Sequence, residues 1–381
     1  MMSQPLQWIE LDSQALRFNI RQFRSLAGPG RKILAMVKSN AYGHGILPVS
    51  RIALEEGADW LGVNDLEEGL LLRGEGLTCP VLVVGYVALD DLKKAVEFDL
   101  SLTVYNDETL HRLSEEAQKL GRRARVHIKV ETGTHRQGIR ESGVLGFVQK
   151  TRELRGLRLE GLSSHFANIE DTTDHSYAKY QLENFQRIER RIQENGIHIP
   201  FRHFACSAAV ILFPETYFDM VRVGIGMYGL WPSREVYVSN LLSRREPFRL
   251  KPVLSWKARI AQVKKVPKDA YIGYGCTYKT TRETRLAVIP VGYRDGYRRA
   301  LSDLSYVLIH GRRAPVRGRI CMNFMMVDIT DIEDVSLEDE VILVGQDGNE
   351  SITADSLADL METINYEFVA GIHPNIPRIV I

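Results

Sequence analysis

Lys32-Ile33-Leu34-Ala35-Met36-Val37-Lys38-Ser39-Asn40-Ala41-Tyr42-Gly43-His44-Gly45 is an apolar run closed by a lysine and followed at once by a small polar loop. Beyond it, Ile46–Glu56 places Leu47, Ile52, Ala53 and Leu54 toward one side of a helix. Strand, loop and helix follow in that order. A lysine at the C-terminal end of an apolar strand sits in a partly desolvated pocket. There the ammonium is disfavoured and the amine becomes available as nucleophile or base. A strand end that simply meets water is the plainer reading of the same residue.

The pattern recurs. Further apolar runs lie at Trp60–Val63, Val81–Val84, Leu100–Val104, Val126–Val130, Leu157–Leu162, Ile199–Phe204 and Met220–Gly226, with helical patterns between most of them. Asp107–Leu120 starts with a good N-cap and ends before Gly121, and Tyr177–Asn195 carries Leu182, Phe185, Ile188 and Ile192 at helical spacing before Gly196. Eight strand–helix repeats with short connections predict an α/β fold, a closed parallel TIM barrel. The competing open, doubly wound sheet usually carries a glycine-rich dinucleotide fingerprint after an early strand, and the chain has none. Lys38, Arg136, His165, Ser207, Arg222 and Gly224 all follow or end barrel strands, on the rim where such barrels assemble chemistry.

After Trp231-Pro232 the pattern changes, and Ser239–Pro252 is charged and proline-punctuated, like a linker. Short β-type runs follow at Trp256–Val266, Leu286–Val291, Tyr306–His310, Ala314–Ile320, Met325–Ile329 and Val341–Val344, with one helix near Ser351–Met361. The expected division is a barrel domain over 1–239 and a mostly β C-terminal domain over 240–381, which the first residues of the chain are free to join.

The 381 residues are 44% hydrophobic and 25% charged, which suits two globular domains. With 49 basic and 48 acidic residues the net charge is +1, so there is no electrostatic footprint for nucleic acid or an anionic membrane. Cys79, Cys206, Cys276 and Cys321 are far apart, and the histidines form neither HxH nor HExxH. Neither a metal site nor a disulfide framework is expected, and a reducing compartment fits. Met1–Trp8 shows no basic segment followed by an apolar one, and no uncharged apolar stretch is long enough to span a bilayer, so a cytoplasmic location is expected.

Eight more segments narrow the reading. They are Lys129-Val130-Glu131-Thr132-Gly133-Thr134-His135-Arg136, Ser164-His165-Phe166, His203-Phe204-Ala205-Cys206-Ser207-Ala208 and Val221-Arg222-Val223-Gly224-Ile225-Gly226, then Ile272-Gly273-Tyr274-Gly275, Val291-Gly292-Tyr293-Arg294-Asp295-Gly296, Gly318-Arg319-Ile320-Cys321-Met322 and Thr363-Ile364-Asn365-Tyr366-Glu367. With the Lys38 segment, in order from about Trp8 to the C-terminus, they resemble the alanine racemases, pyridoxal-phosphate enzymes built from a TIM barrel plus a β domain. The resemblance implies pyridoxal 5'-phosphate as cofactor, a homodimer with shared active sites, a small amino-acid substrate, and interconversion of L- and D-alanine by two bases. D-alanine for cell-wall peptidoglycan is the role it implies.

On that resemblance Lys38 holds the cofactor through its amine and then serves as base at one face of the substrate Cα, while Tyr274 serves the other face. A phenol is a poor base at neutral pH without help, and His165 is the residue that would give it. Without the resemblance Tyr274 reads as a glycine-flanked turn tyrosine. Arg222 matches the arginine facing the pyridine nitrogen; a guanidinium donates to that nitrogen but does not readily protonate it. Ser207, Gly224, Ile225 and Tyr42 match the phosphate contacts, joined by Tyr366, and Ser207 also reads as a helix N-cap. Arg136 and the Met322 backbone N–H match the contacts to the substrate carboxylate. Lys129 matches a lysine often carbamylated, whose carbamate would set an anion beside Arg136. Tyr293 and Tyr366 match residues that narrow the substrate entrance, with Arg299 and Arg319 further out. Such a gate discriminates in a graded way, by about 1–3 kcal/mol per methylene.

Three positions depart from the family pattern: Asn323 where aspartate is common, Cys206 where asparagine is common, and Asn168 where a small residue or threonine is common. Asn168 puts an amide near the pocket entrance, where it would admit polar side chains, and a broader serine or lysine racemase is the near alternative. A barrel-type decarboxylase would place a glutamate at the ring nitrogen, where Arg222 stands. Barrel-only pyridoxal-phosphate binding proteins lack the second domain.

Overall fold

The computed structural model describes residues 5–243 and 248–381. After a first strand, β1 (Gln7–Leu11), eight parallel strands close into a barrel in chain order. They are β2 (Lys32–Met36), β3 (Trp60–Val63), β4 (Val81–Val83), β5 (Ser101–Val104), β6 (Ala124–Lys129), β7 (Leu157–Ser163), β8 (Phe201–His203) and β9 (Met220–Val223). Every residue of β3, β4, β5 and β9 is buried, as strands covered on both faces require. β2 and β9 close the ring with Leu34 opposite Arg222. The outer helices follow their apolar stripes. Asn106 caps Asp107–Lys119 by accepting the Thr109 N–H at 2.8 Å, and Ser176–Glu194 buries Phe185, Ile188 and Ile192.

The chain forms two compact units. The barrel unit comprises Gln14–Ala41 and Ile46–Lys251; the other comprises the described residues up to Ser13, Tyr42–Gly45 and Pro252–Ile381. The division expected after residue 239 falls inside a helix, Arg234–Ser243. There Asn240 is buried and exchanges hydrogen bonds of 2.9 and 3.0 Å with the backbone of Phe248. That stretch therefore folds with the barrel rather than as a linker; residues 244–247 of the expected linker lie outside the described residues.

In the second unit β1 pairs with β10 (Leu254–Arg259) and with a C-terminal strand, Arg378–Val380. These three strands form one end of a seven-stranded sheet, with the C-terminal strand at its edge. The run expected over Trp256–Val266 is two strands, β10 and β11 (Gln262–Val266), the latter in a separate three-stranded sheet. Gly43 is fixed by geometry. Its φ is +82°, and a Cβ there would lie 1.9 Å from the Val369 carbonyl oxygen. Among the described residues no helix is long and apolar enough to cross a membrane.

Candidate active site

Lys38 stands two residues past the end of β2. From Ser39 to Tyr42 the backbone is left-handed, with φ between +52° and +55°. That conformation costs L-residues about 1–2 kcal/mol each, so the surroundings must hold it. Glu68 does much of this. Its carboxylate accepts the backbone N–H of Asn40 at 3.0 Å and of Asn64 at 2.9 Å. The helix that carries it is capped by Asp65, which accepts the Glu68 N–H at 3.0 Å. Asn40 in turn accepts the Ile46 N–H at 2.9 Å. Burial lowers the Lys38 pKa, the Arg136 charge lowers it further, and Glu68 opposes both.

Arg222, buried in β9, is held by both terminal nitrogens. Nη1 lies 2.9 Å from His203 Nδ1 and 2.9 Å from the His203 carbonyl oxygen. Nη2 donates to the carbonyls of Ser164 (2.8 Å) and Phe204 (3.0 Å) and lies 3.1 Å from His165 Nδ1. A guanidinium only donates, so both histidines accept through Nδ1 and carry their proton on Nε2. Burial, then the charges of Arg222, Lys129, Arg136 and Lys38, push His165 well below the ordinary histidine range.

The loop after β6 brings Arg136 to the same rim. Glu131 accepts the N–H groups of Gly133 (2.5 Å) and Thr134 (2.7 Å), and Thr134 Oγ1 donates to the His165 carbonyl at 2.6 Å. Arg136 itself is exposed. At the end of β6, desolvation and then the charges of Arg222 and Arg136 hold the Lys129 pKa well below the usual lysine value. Arg222, in contact with His165, and Arg136 both disfavour a charge on its imidazole. Such a field suits a ligand that carries a phosphate and a carboxylate.

Ser207 is the first helical residue of Ser207–Leu212, not its N-cap; that place is taken by Cys206. The Ser207 hydroxyl accepts the N–H of Gly224 at 2.9 Å and of Gly226 at 3.4 Å. The Gly224 N–H is therefore turned to Ser207 rather than offered to an anion, and the Ser207 O–H is the donor this loop can present. Ile225 opens the next short turn. Cys206 Sγ lies 3.6 Å from Glu170 Oε1, and burial pushes this thiol up to about 12, so it stays protonated.

The remaining candidates belong to the second unit. Tyr42 and Tyr366 face each other with ring centroids 6.2 Å apart. Tyr274 opens a short turn after Gly273 (φ +71°) and is 71% exposed. The Tyr293 and Arg294 N–H groups donate to the carbonyls of Cys321 and Met322, each at 3.0 Å. The Arg319 guanidinium packs against Gly275. One segment, 318–322, thereby gathers Tyr274, Tyr293 and Met322. Asn323 is exposed beside it, and Asn168 is exposed with its amide 3.4 Å from Asp171. Among the described residues no group of three His, Cys, Asp or Glu could hold a metal ion.

Glu68 and His203 escaped the sequence reading. An acidic residue three positions after the N-cap Asp65 is the only signal the first offered, and the second stood inside a quoted motif without a role.

Two family models match the chain, "Alanine racemase, N-terminal domain" over residues 11–232 and "Alanine racemase, C-terminal domain" over 253–380. The chain belongs to the alanine racemase family. An alanine racemase of Methanococcus maripaludis is 43% identical over 380 residues, covering 100% of this chain and 99% of that protein. The crystal structure of alanine racemase from Bacillus anthracis with bound L-Ala-P has a TM-score of 0.93 at 36% identity, covering 100% of this chain and 96% of that one. A histidine racemase from Leuconostoc mesenteroides has a TM-score of 0.90 at 26% identity, covering 100% and 99%. The racemase fold thus accompanies more than one amino-acid substrate.

Proposed function

We propose that the protein is a pyridoxal-phosphate-dependent racemase that interconverts L- and D-alanine, working in the cytoplasm to supply D-alanine for peptidoglycan. The observation that carries this reading is Lys38 itself. Its amine is desolvated, carried by a left-handed turn clamped by Glu68, and set among Arg222, Arg136 and a neutral His165.

The residues fit the cofactor: an amine whose ammonium burial disfavours, a buried guanidinium for a ring nitrogen, and a Ser207 hydroxyl for a phosphate. On the family resemblance, Tyr42 and Tyr366 would join Ser207 and Ile225 at that phosphate, with Gly224 leaving room for its approach rather than donating to it. When bound, pyridoxal phosphate supplies an electron sink for the carbanion at the substrate Cα. Lys38 Nζ takes or returns the Cα proton on one face. Arg222 would face the ring nitrogen as a donor without surrendering its own proton. Arg136 and the backbone N–H of the partner subunit's Met322 orient the carboxylate, and the partner subunit's Tyr293 narrows the entrance.

Tyr274 Oη serves the opposite face of Cα. We assign it to the second subunit of a homodimer, whose two sites each use the partner subunit's Tyr274. Its exposure, with that of Tyr271, Met322 and Phe324 around it, supports a surface awaiting a second copy. His165 carries its proton on Nε2, the form that donates to a phenolate and so helps Tyr274 act as base.

A second reading, racemisation of a larger or more polar amino acid, is favoured by one observation: a histidine racemase shares this fold along its whole length. Racemisation assays across alanine, serine, lysine and histidine decide between the two. In Tyr274→Phe, exchange of the Cα proton with deuterated solvent should stop for one alanine enantiomer and persist for the other. Equal loss from both would defeat the two-base assignment.

A further inference from the structure

Behind Arg222 the barrel interior holds a line of polar groups that the proposed reaction does not touch. His203 Nε2 lies 2.9 Å from His127 Nδ1, and both rings are buried. His127 Nε2 lies 3.4 Å from Glu160 Oε2, at ion-pair distance, and makes no hydrogen bond. Glu160, also buried, accepts the Ser101 hydroxyl at 2.9 Å, with Arg125 Nε 3.9 Å away.

Two irregularities in β7 make this line possible. Val126 pairs with Leu159 but His127 pairs with Gly161, so Glu160 is the extra residue of a bulge that turns its side chain inward. At Gly161 a Cβ would meet His127 Nδ1 at 2.1 Å, so the imidazole fills the space that a side chain would need. A bulge and a glycine in adjacent positions, both serving one histidine, are hard to explain as packing alone.

The chemistry of the line allows one direction. Arg222 donates to His203 Nδ1, so His203 bears its proton on Nε2. That N–H donates to His127 Nδ1, so His127 also bears its proton on Nε2 and offers it to an acceptor. An acceptor oxygen at position 160 completes the order. A proton added to His127 would reverse it and set two donors face to face at His203. Burial lowers the pKa of both histidines. Burial raises that of Glu160, but nearby His127, the Ser101 hydrogen bond and the Arg125 charge outweigh it and favour the carboxylate.

We propose that Glu160 is a positioning residue for Arg222. Through the fixed tautomers of His127 and His203 it holds the guanidinium in the attitude that the ring nitrogen requires. This role rests on the cofactor reading given above, but the tautomers do not, and that separates the tests.

The experiment is nitrogen-15 NMR of histidine-labelled protein, with signals assigned by single substitutions, together with kinetics of Glu160→Leu and Glu160→Gln. In the wild type His127 and His203 should each show one neutral tautomer, protonated on Nε2, from pH 6 to pH 9 (roughly the span around an ordinary histidine pKa). Glu160→Leu should leave the His127 Nε2 proton without a carboxylate to face, shift its nitrogen-15 signal and lower kcat about tenfold with KM for alanine unchanged. Glu160→Gln, which keeps an acceptor oxygen, should restore that signal and most of kcat. An Nδ1-protonated or cationic ring at either position in the wild type overturns the proposal without any variant. So does an unchanged His127 Nε2 signal or an unchanged kcat in Glu160→Leu. Protein that shows the stated tautomers but takes up no pyridoxal phosphate defeats the cofactor reading and leaves the hydrogen-bond order standing.

Discussion

The Glu68 carboxylate accepts the Asn40 backbone N–H at 3.0 Å, and by that bond the helix after β3 holds the turn that follows Lys38. The turn contains four consecutive residues of positive φ, none of them glycine. Removing the carboxylate leaves the Asn40 and Asn64 N–H groups without their acceptor. Glu68→Ala should therefore cost about 1–3 kcal/mol of stability, measured by chemical denaturation. The larger effect should be on rate, because displacing a reacting amine by an ångström costs on the order of a hundredfold. A variant that loses stability but keeps kcat would show that Lys38 is placed by β2 alone.

Acid should destabilise the protein over a defined window. His127, His165 and His203 are all held below the ordinary histidine value, first by burial. In the unfolded chain the same groups protonate near pH 6.5. Below that pH the unfolded state binds protons that the folded state refuses, so stability falls as pH falls, until the folded pKa values are reached. Above that pH these groups contribute nothing. Each histidine adds at most about 1.4 kcal/mol per pH unit. Denaturation between pH 5 and pH 7 should show this slope, and His127→Asn should reduce it by roughly a third. A flat profile across that window would mean that the rings gain charge in the folded state.

The barrel was legible because burial on both faces leaves a sequence record. Apolar runs such as Trp60–Val63 and Val81–Val84 match strands to within a residue or so. Lys38 and Arg222 were legible for a related reason: each is a cation at the end of such a run. The helix Arg234–Ser243 was not. Its polar faces and nearby proline resemble a linker, and what fixes it is Asn240 bonding to Phe248. The Glu160 bulge left no mark in the hydrophobic pattern either, since one inserted residue changes facing without changing composition. Ser207 read as a cap because a serine before an apolar helix usually is one. Here the hydroxyl is claimed by two glycine amides across the loop.

Activity should depend on protein concentration. Tyr274 is 71% exposed and Met322 is 53% exposed, too open for groups that must exclude water from a reacting carbon. Dilution below the dimer dissociation constant, followed by analytical ultracentrifugation, should give monomers that retain bound cofactor absorbance through Lys38 but lose racemisation. Replacing Tyr274 by Phe should lower kcat about 10²–10⁴-fold, the usual range for losing a general base. Monomers that racemise at the full rate would reassign Tyr274 to its own chain's site.

Lys129 should carry a carbamate. An unmodified lysine there faces the charges of Arg222 and Arg136 with only Glu131 in opposition, and desolvation already disfavours its ammonium. The neutral amine that results is the form that adds carbon dioxide. Addition replaces a potential cation with an anion beside the two guanidiniums, turning repulsion into attraction at the same distance. The modification should be present at neutral pH, should be lost on acidification as the amine recaptures a proton, and should return with bicarbonate. Native mass spectrometry should find one carbon dioxide per chain, absent from Lys129→Arg. That variant keeps a permanent cation beside Arg136, so its KM for alanine should rise more than its kcat falls. An unmodified wild-type chain with full activity in bicarbonate-depleted buffer would leave Arg136 to be held by Glu131's loop alone.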